Sequence, residues 1–177
     1  RVSKSGVFPL SWALDHVGPI TRCVEDNALM LNVLAGHDPE DPYSVDRPAE
    51  DFTRDLQRGL RGASIGLPTS FFFDHVDGEV KARVREAVEV FRSLGARVKE
   101  VEIPNLWATL HAHRLILGAE AYAVHQERLE NEPETFGEEV GERLMDGERP
   151  KAYRYATARR RGLLAAGEFD RALHGVD

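Results

Sequence analysis

The chain has 177 residues, a formal net charge of −7, 42% hydrophobic residues and 30% charged residues. This composition is typical of a soluble globular protein that is long enough to bury a core, and the acidic charge argues against nucleic acid as the main ligand. No apolar run approaches the roughly 20 residues that a membrane-spanning helix needs. Cys23 is the only cysteine, which fits a reducing compartment, and we expect a cytoplasmic protein.

The segment from Ser11 to Gly36 reads S-W-A-L-D-H-V-G-P-I-T-R-C-V-E-D-N-A-L-M-L-N-V-L-A-G. Pro19 fixes its own φ and pushes Gly18 out of the helical region, so we predict a turn through which no helix passes. Thr21 is expected to cap a helix that follows and that ends near Gly36. Apolar residues at helical spacing predict that much of this helix is buried.

This segment resembles the amidase signature family of serine hydrolases. The Leu-Asp-x-x-Gly-Pro turn, the Thr-Arg pair, the helix and the Gly-x-Asp-x-x-Asp-Pro loop follow one another in the family's order, with mild departures at Cys23 and Asn27. The resemblance implies an α/β fold built on a mixed β-sheet that is covered by helices. It also implies hydrolysis of a carboxylic amide to an acid and ammonia or an amine.

The family's catalytic Ser–cis-Ser–Lys triad has no counterpart in this sequence. In the family, the lysine and the Gly/Ser-rich run precede the segment that Arg1 to Gly6 resembles, and no such run is found here. We therefore expect residues 1–177 to be an incomplete single domain, whose catalytic residues lie outside the chain. The chain alone is predicted to be inactive.

Asp15 and His16 precede the predicted turn. This pair is a candidate for orienting a substrate or a catalytic water, because the resemblance places the turn near the cleft. The alternative is an aspartate that closes a turn beside a half-exposed histidine. Both interpretations stay open.

The stretch from His37 to Asp51 contains three prolines and a cluster of acidic residues, which excludes a helix or a central strand. A calcium site is less favoured than a solvated acidic loop, because the spacing does not match an EF-hand. The stretch from Asp51 to Leu60 carries apolar residues at i, i+4 and i+8 and predicts a short helix.

A strand–helix–strand unit is predicted next. Its strands lie around Ile65 and Val98, and its helix begins at Asp77 and ends at Gly95, so the strands should be parallel. No Gly-x-Gly-x-x-Gly follows the first strand, so a dinucleotide site is not supported. The triple phenylalanine, with Phe72 at its centre, is either a hydrophobic substrate wall or core packing.

A long helix is predicted from Leu106 to about Leu129. The piece Gly118-Ala119-Glu120-Ala121 resembles the family's Glu-Ala helix at the border of the substrate cleft, so Tyr122 and His125 are candidate substrate contacts. A glutamate satisfied by a neighbour and a tyrosine on the helix surface are the structural alternative. Two more helices are predicted, at 138–145 and at 150–173.

We expect an amide substrate of low molecular mass, no metal, no cofactor, no nucleic acid and no membrane contact, and the sequence leaves homo-oligomer formation open. Candidate substrate contacts are Asp15, His16, Phe72, Tyr122 and His125. Two alternatives to an amidase remain. One is the glutaminase subunit of a tRNA-dependent amidotransferase, although the expected Asp-Gly-x-Arg-Tyr-Gly run is missing after Glu120. The other is a non-catalytic structural fragment.

Overall fold

The computed structural model describes residues 1–48 and 50–177, so Ala49 in the acidic loop lies outside the described residues. Five α-helices and two β-strands are found in the described part of the chain. In chain order they are α1 (Val24–Leu34), β1 (Ser64–Pro68), α2 (Gly78–Ser93), β2 (Arg97–Val101), α3 (Leu106–Asn131), α4 (Glu138–Met145) and α5 (Ala152–Ala172).

The chain divides into two compact units. The first contains residues 1–58 and 117–149, and the second contains residues 59–116 and 150–177, so α3 contributes to both. That residues 1–177 form an incomplete single domain stays a prediction.

The second unit contains the predicted strand–helix–strand arrangement. β1 and β2 are parallel, with a register that runs from Ser64 opposite Arg97 to Pro68 opposite Val101. The intervening helix α2 begins after Asp77, whose side chain accepts a hydrogen bond from the Glu79 amide at 2.8 Å. An aspartate at this position satisfies one of the free N–H groups of the first turn. The α/β class predicted from the sequence is thus confirmed, with a described sheet of two parallel strands.

The residues after α5 reach the start of β1. The amide of Asp177 donates to the Ser64 carbonyl oxygen at 2.7 Å, and the Asp177 carboxylate accepts from the Ser64 amide at 2.9 Å. Lys99 of β2 donates from its ammonium group to the Gly175 carbonyl oxygen at 2.6 Å. These bonds fasten the last residues of the chain to both strands.

The first unit is built around the second half of α3. Ala121 and Leu129 of this helix pack with Leu144 of α4, and Tyr122 and Phe136 cover the cluster. At the N-terminus, an isolated antiparallel bridge joins Val2 to Ala35, which directly follows α1. The helices predicted around α3, α4 and α5 are confirmed, each within two residues of its expected bounds.

The predictions for α1 were partly wrong. The N-cap is Cys23 rather than Thr21, and the Thr21 hydroxyl instead donates to the Cys23 carbonyl oxygen at 2.7 Å. Only Ala28 of α1 is buried, whereas Val33 is 85% exposed. Helical periodicity identifies an apolar face, but burial requires another element to cover that face.

Two further local predictions were wrong. Residues 15–20 carry no hydrogen-bonded turn, although no helix passes through Gly18 and Pro19. The stretch 51–60 is a series of turns rather than a helix. Its first turn is held by the Asp51 carboxylate, which accepts bonds from the Thr53 amide at 2.9 Å and from the Thr53 hydroxyl. Such side-chain bonds to local donors compete with helix formation.

Candidate functional site

The loop from Leu10 to Asp15 is closed by its own last residue. The Asp15 carboxylate accepts hydrogen bonds from the amides of Leu10 at 2.7 Å and Ser11 at 3.1 Å. The amides of Leu14 and Asp15 donate in turn to the Ser11 carbonyl oxygen. Asp15 therefore closes the loop that precedes it.

A second carboxylate holds the same loop from α3. Oε2 of Glu120 accepts from the Ser11 hydroxyl at 2.6 Å and from the Ala13 amide at 2.9 Å. Ser11 is fully buried and Glu120 is 4% exposed. A buried carboxylate is costly unless donors satisfy it, and these two bonds supply that compensation.

A pocket of about 310 Å³ lies beside this loop, within the first unit. Its charged and aromatic lining includes Lys4, Trp12, Asp15, Asp41 and Tyr43. The Lys4 ammonium donates to the Trp12 carbonyl oxygen at 2.6 Å and lies 4.3 Å from the centre of the Tyr43 ring. The pocket thus combines aromatic walls with fixed charges, as small-molecule sites do.

Asp41 fixes the far side of this pocket. Its carboxylate accepts hydrogen bonds from the backbone amides of Lys4 and Tyr43, each at 2.9 Å. These two bonds hold the pKa of Asp41 below its usual value, although burial acts in the opposite direction. The aspartate therefore stays ionised and keeps the acidic loop attached to the N-terminal segment.

The side chains of Asp15 and His16 contact different groups of the loop. Nδ1 of the exposed His16 ring lies 2.7 Å from the Leu14 carbonyl oxygen, whereas the Asp15 carboxylate is engaged by the loop amides. Asp15 lines the pocket. The two side chains therefore do not act as a hydrogen-bonded dyad, and any role of His16 toward a substrate depends on its exposed ring.

Tyr122 and His125 lie on α3 in the same unit. Tyr122 covers the apolar cluster of α3 and α4, and burial, followed by the charges of Glu148 and Glu130, raises the pKa of its hydroxyl. The His125 ring lies between Phe8 and Phe136, with centroid distances of 5.5 and 5.6 Å.

Nδ1 of His125 is buried and has no hydrogen-bond partner among the described residues. A buried polar atom without a partner is uncommon in a folded protein. The aromatic contacts of its ring, rather than a hydrogen bond from Nδ1, hold His125 in place.

Phe72, the remaining candidate substrate contact, belongs to the second unit. It is 42% exposed and makes an edge-to-face contact with Phe71, with a centroid distance of 5.2 Å. Phe71 has a positive φ of 67° and also contacts Trp107, at 4.9 Å. Phe71 therefore contacts both Trp107 and Phe72, and Phe72 is partly open to solvent.

Glu120 and Ser11 are the buried polar pair that the sequence did not identify. The sequence suggested only that Glu120 is satisfied by some neighbour, and that neighbour lies 109 positions earlier. No local spacing signals such a contact. Asp41, in a stretch predicted to be solvated, is buried as well.

Within residues 1–48 and 50–177, no cluster of three or more His, Cys, Asp or Glu side chains has an arrangement that could hold a metal ion. None of the helices described in this part of the chain combines the length and apolar character needed to span a bilayer.

The chain belongs to the amidase family, whose model matches residues 1–177. An amidase of Pseudomonas putida is 43% identical over 160 residues, which cover 90% of this chain and 34% of that protein. A glutamyl-tRNA(Gln) amidotransferase subunit of Trichlorobacter lovleyi is 36% identical over 202 positions, which cover all of this chain and 41% of that protein. The chain thus spans less than half the length of these curated relatives.

The fold is also similar to that of solved structures. A chain of a vestigial protein complex, described as revealing the evolutionary origins of an s-triazine catabolic enzyme, superposes with a TM-score of 0.91 at 25% identity. That match covers all of this chain and 38% of the other.

Proposed function

We propose that this chain is part of an amidase that hydrolyses a carboxylic amide to an acid and ammonia or an amine. The match of the amidase family model to residues 1–177 carries this proposal. In the proposed mechanism, a serine attacks the carbonyl, assisted by a cis-serine and a neutral lysine that carries the proton. These catalytic residues belong to a part of the parent protein outside the present chain.

The contacts of the lysines support the last point. The ammonium groups of Lys4, Lys81 and Lys99 donate to the carbonyl oxygens of Trp12, Phe73 and Gly175. A lysine that relays the proton of a serine must contact that serine hydroxyl, whereas these three contact backbone carbonyl oxygens. These three lysines therefore have structural roles.

The contacts of the serines agree. The Ser11 hydroxyl is fully buried against Glu120, and the Ser3 hydroxyl donates to Asp38. A nucleophile needs a base within hydrogen-bond reach and access to the substrate carbonyl. Ser11 lacks access, and the partner of Ser3 is a carboxylate whose pKa is held low by this bond. Neither serine is suited to attack an amide.

The Asp-Gly-x-Arg-Tyr-Gly run expected of an amidotransferase component is missing after Glu120, which supports an amidase. The alignment with the T. lovleyi protein extends over 202 positions against 177 residues here, so at least 25 of its positions are gaps in this chain. The alignment with the P. putida amidase covers 90% of the chain in 160 positions, which requires almost no gaps.

The proposed contribution of this chain is a wall of the substrate cleft. In the first unit, Asp15 lines the pocket, while His16, Tyr122 and His125 are further proposed contacts. His125 is half-buried, and the exposed part of its ring is the proposed contact. Phe72 of the second unit is proposed as an apolar contact.

The test uses the complete polypeptide that contains this chain. Ammonia release from aliphatic, aryl and peptide amides would be measured, with glutamine as the substrate that identifies an amidotransferase component. We expect Asp15→Asn and His125→Ala to raise KM for the best amide by about tenfold, the effect of one lost hydrogen bond to a charged or buried group. Residues 1–177 alone should release no ammonia.

A matched control is Asp46→Asn, which changes an exposed carboxylate of the acidic loop and should leave KM unchanged. Hydrolysis of glutamine alone, stimulated by added partner subunits, would support the amidotransferase alternative instead. Absence of hydrolysis with every amide would leave the non-catalytic alternative.

The predicted absence of nucleic acid contacts and the cytoplasmic location stay predictions.

A further inference from the structure

The bonds of Glu120 lie on either side of Trp12. The same oxygen, Oε2, accepts from the Ser11 hydroxyl and from the Ala13 amide, so the residue between them has both neighbours fixed. Trp12 itself is 45% exposed and lines the pocket. The two buried bonds from Glu120 therefore hold a loop whose central side chain, that of Trp12, is partly exposed.

The Trp12 backbone, whose neighbours Glu120 fixes, also contacts a charged group of the pocket. The Lys4 ammonium donates to the Trp12 carbonyl oxygen at 2.6 Å, so the position of this carbonyl fixes the charge. Asp15, which closes the loop, lines the pocket as well. Glu120 thus fixes the backbone on both sides of Trp12, whose carbonyl oxygen in turn holds the Lys4 ammonium beside the pocket.

From this geometry we infer that Glu120 is a positioning residue that holds Trp12 against the substrate. The inference rests on the proposed function, because it needs the loop Leu10–Asp15 to be part of the cleft wall. It also specifies the substrate class: an amide with an apolar or aromatic substituent, which packs on the faces of Trp12 and Tyr43. Val7, Pro9 and Pro42 complete the apolar lining of the pocket.

Glu120 would act on substrate binding and not on the chemical step. It touches the loop and not the reacting atoms, so its removal loosens the wall while the catalytic serine and lysine stay in place. Loss of an interaction that the ground state and the transition state share raises KM and leaves kcat unchanged. A merely structural residue would instead lower the unfolding temperature without changing KM in the folded enzyme.

The experiment uses the complete polypeptide labelled with 5-fluorotryptophan, with the Trp12 resonance assigned by its loss in Trp12→Phe. In Glu120→Ala we expect the fluorine resonance of Trp12 to shift and broaden. KM for an aryl amide should rise by about tenfold, as for one lost hydrogen bond to a charged group, with kcat within about twofold. Glu120→Gln, which keeps an acceptor oxygen, should restore much of both properties.

The matched control is Glu127→Ala, an exposed glutamate on the same helix, which should change neither the resonance nor KM. If Glu120→Ala fails to fold, Ser11→Ala removes one of the two bonds and should shift the Trp12 resonance to a smaller extent. An unchanged Trp12 resonance in the folded variants would overturn the inference.

The inference and the proposed function fail in different ways. If Asp15→Asn raises KM but Glu120→Ala does not, the proposal that this loop lines the cleft is supported and the positioning role of Glu120 is refuted. If neither Trp12→Phe nor Asp15→Asn changes KM, the proposed wall itself is refuted, together with the role of Glu120 toward substrate.

Discussion

Gly118 of α3 and Gly147, which lies just after α4, pack against each other in the first unit at a distance that only glycine allows. A Cβ atom on Gly147 would lie 2.0 Å from the Gly118 carbonyl oxygen and 2.8 Å from Cβ of Tyr122. Gly147 is buried. The close approach brings the turn that follows α4 directly onto the part of α3 that precedes the proposed substrate contacts.

Gly147→Ala should therefore destabilise the protein strongly. The new methyl group meets a backbone atom, which cannot rotate away, so we expect a loss of about 2–3 kcal/mol in the free energy of unfolding. Chemical denaturation measures this loss. The control is Gly162→Ala, whose added Cβ has no atom within 4 Å. Because alanine favours a helix interior, this control should be neutral or stabilising by up to about 1 kcal/mol. Equal stability of the two variants would contradict the close packing.

Local signals in the sequence predicted the second unit well. Asp77 and Gly95 mark the ends of α2 because a side-chain cap and a positive φ are decided by residues near each end. β1 was predicted from a short apolar run, and β2 from the alternation of apolar and charged residues, both of which are local signals.

In the first unit, local sequence signals did not predict a long-range contact or the burial of several side chains. The Ser11–Glu120 contact joins residues 109 positions apart, and no periodicity reports it. The exposure of Val33 was mispredicted because periodicity identifies an apolar face and not the element that covers it. The described residues of the acidic loop contain no helix, as predicted. Asp41 in this loop is nevertheless buried, because its two donors are backbone amides, which any residue type supplies.

Gly95 ends α2 in a conformation that favours glycine. Its φ is +94°, and an added Cβ would lie 3.3 Å from Cα of Arg61. Gly95→Ala should lower the free energy of unfolding by about 1–2 kcal/mol, because the methyl group strains this backbone conformation.

The control for this change is Gly78→Ala at the first position of the same helix, where no atom lies within 4 Å of the added Cβ. We expect Gly78→Ala to raise the thermal unfolding temperature and Gly95→Ala to lower it. The same direction of change in both variants would show that positive φ is not what selects glycine at position 95.

Asp41 should make the stability of the first unit dependent on pH. Hydrogen bonds from the amides of Lys4 and Tyr43 lower its pKa in the folded protein, whereas an aspartate in the unfolded chain titrates near about 3.9. The unfolded state therefore binds the proton more readily. The stabilisation by Asp41 is fully present above about pH 4 to 5 and is lost as the pH falls through the lowered pKa of the folded state.

Asp41→Asn removes this dependence. At neutral pH the variant should unfold at a lower temperature than the parent, because asparagine has one acceptor oxygen where the carboxylate uses two, so one backbone donor faces the NH2 group. Below about pH 4 the difference should shrink, since protonation weakens the parent's acceptor in the same way. Thermal unfolding followed from pH 7 to pH 3 measures both effects, with Asp46→Asn as the exposed control in the same loop. A constant difference across this range would mean that Asp41 contributes through packing and not through its charge.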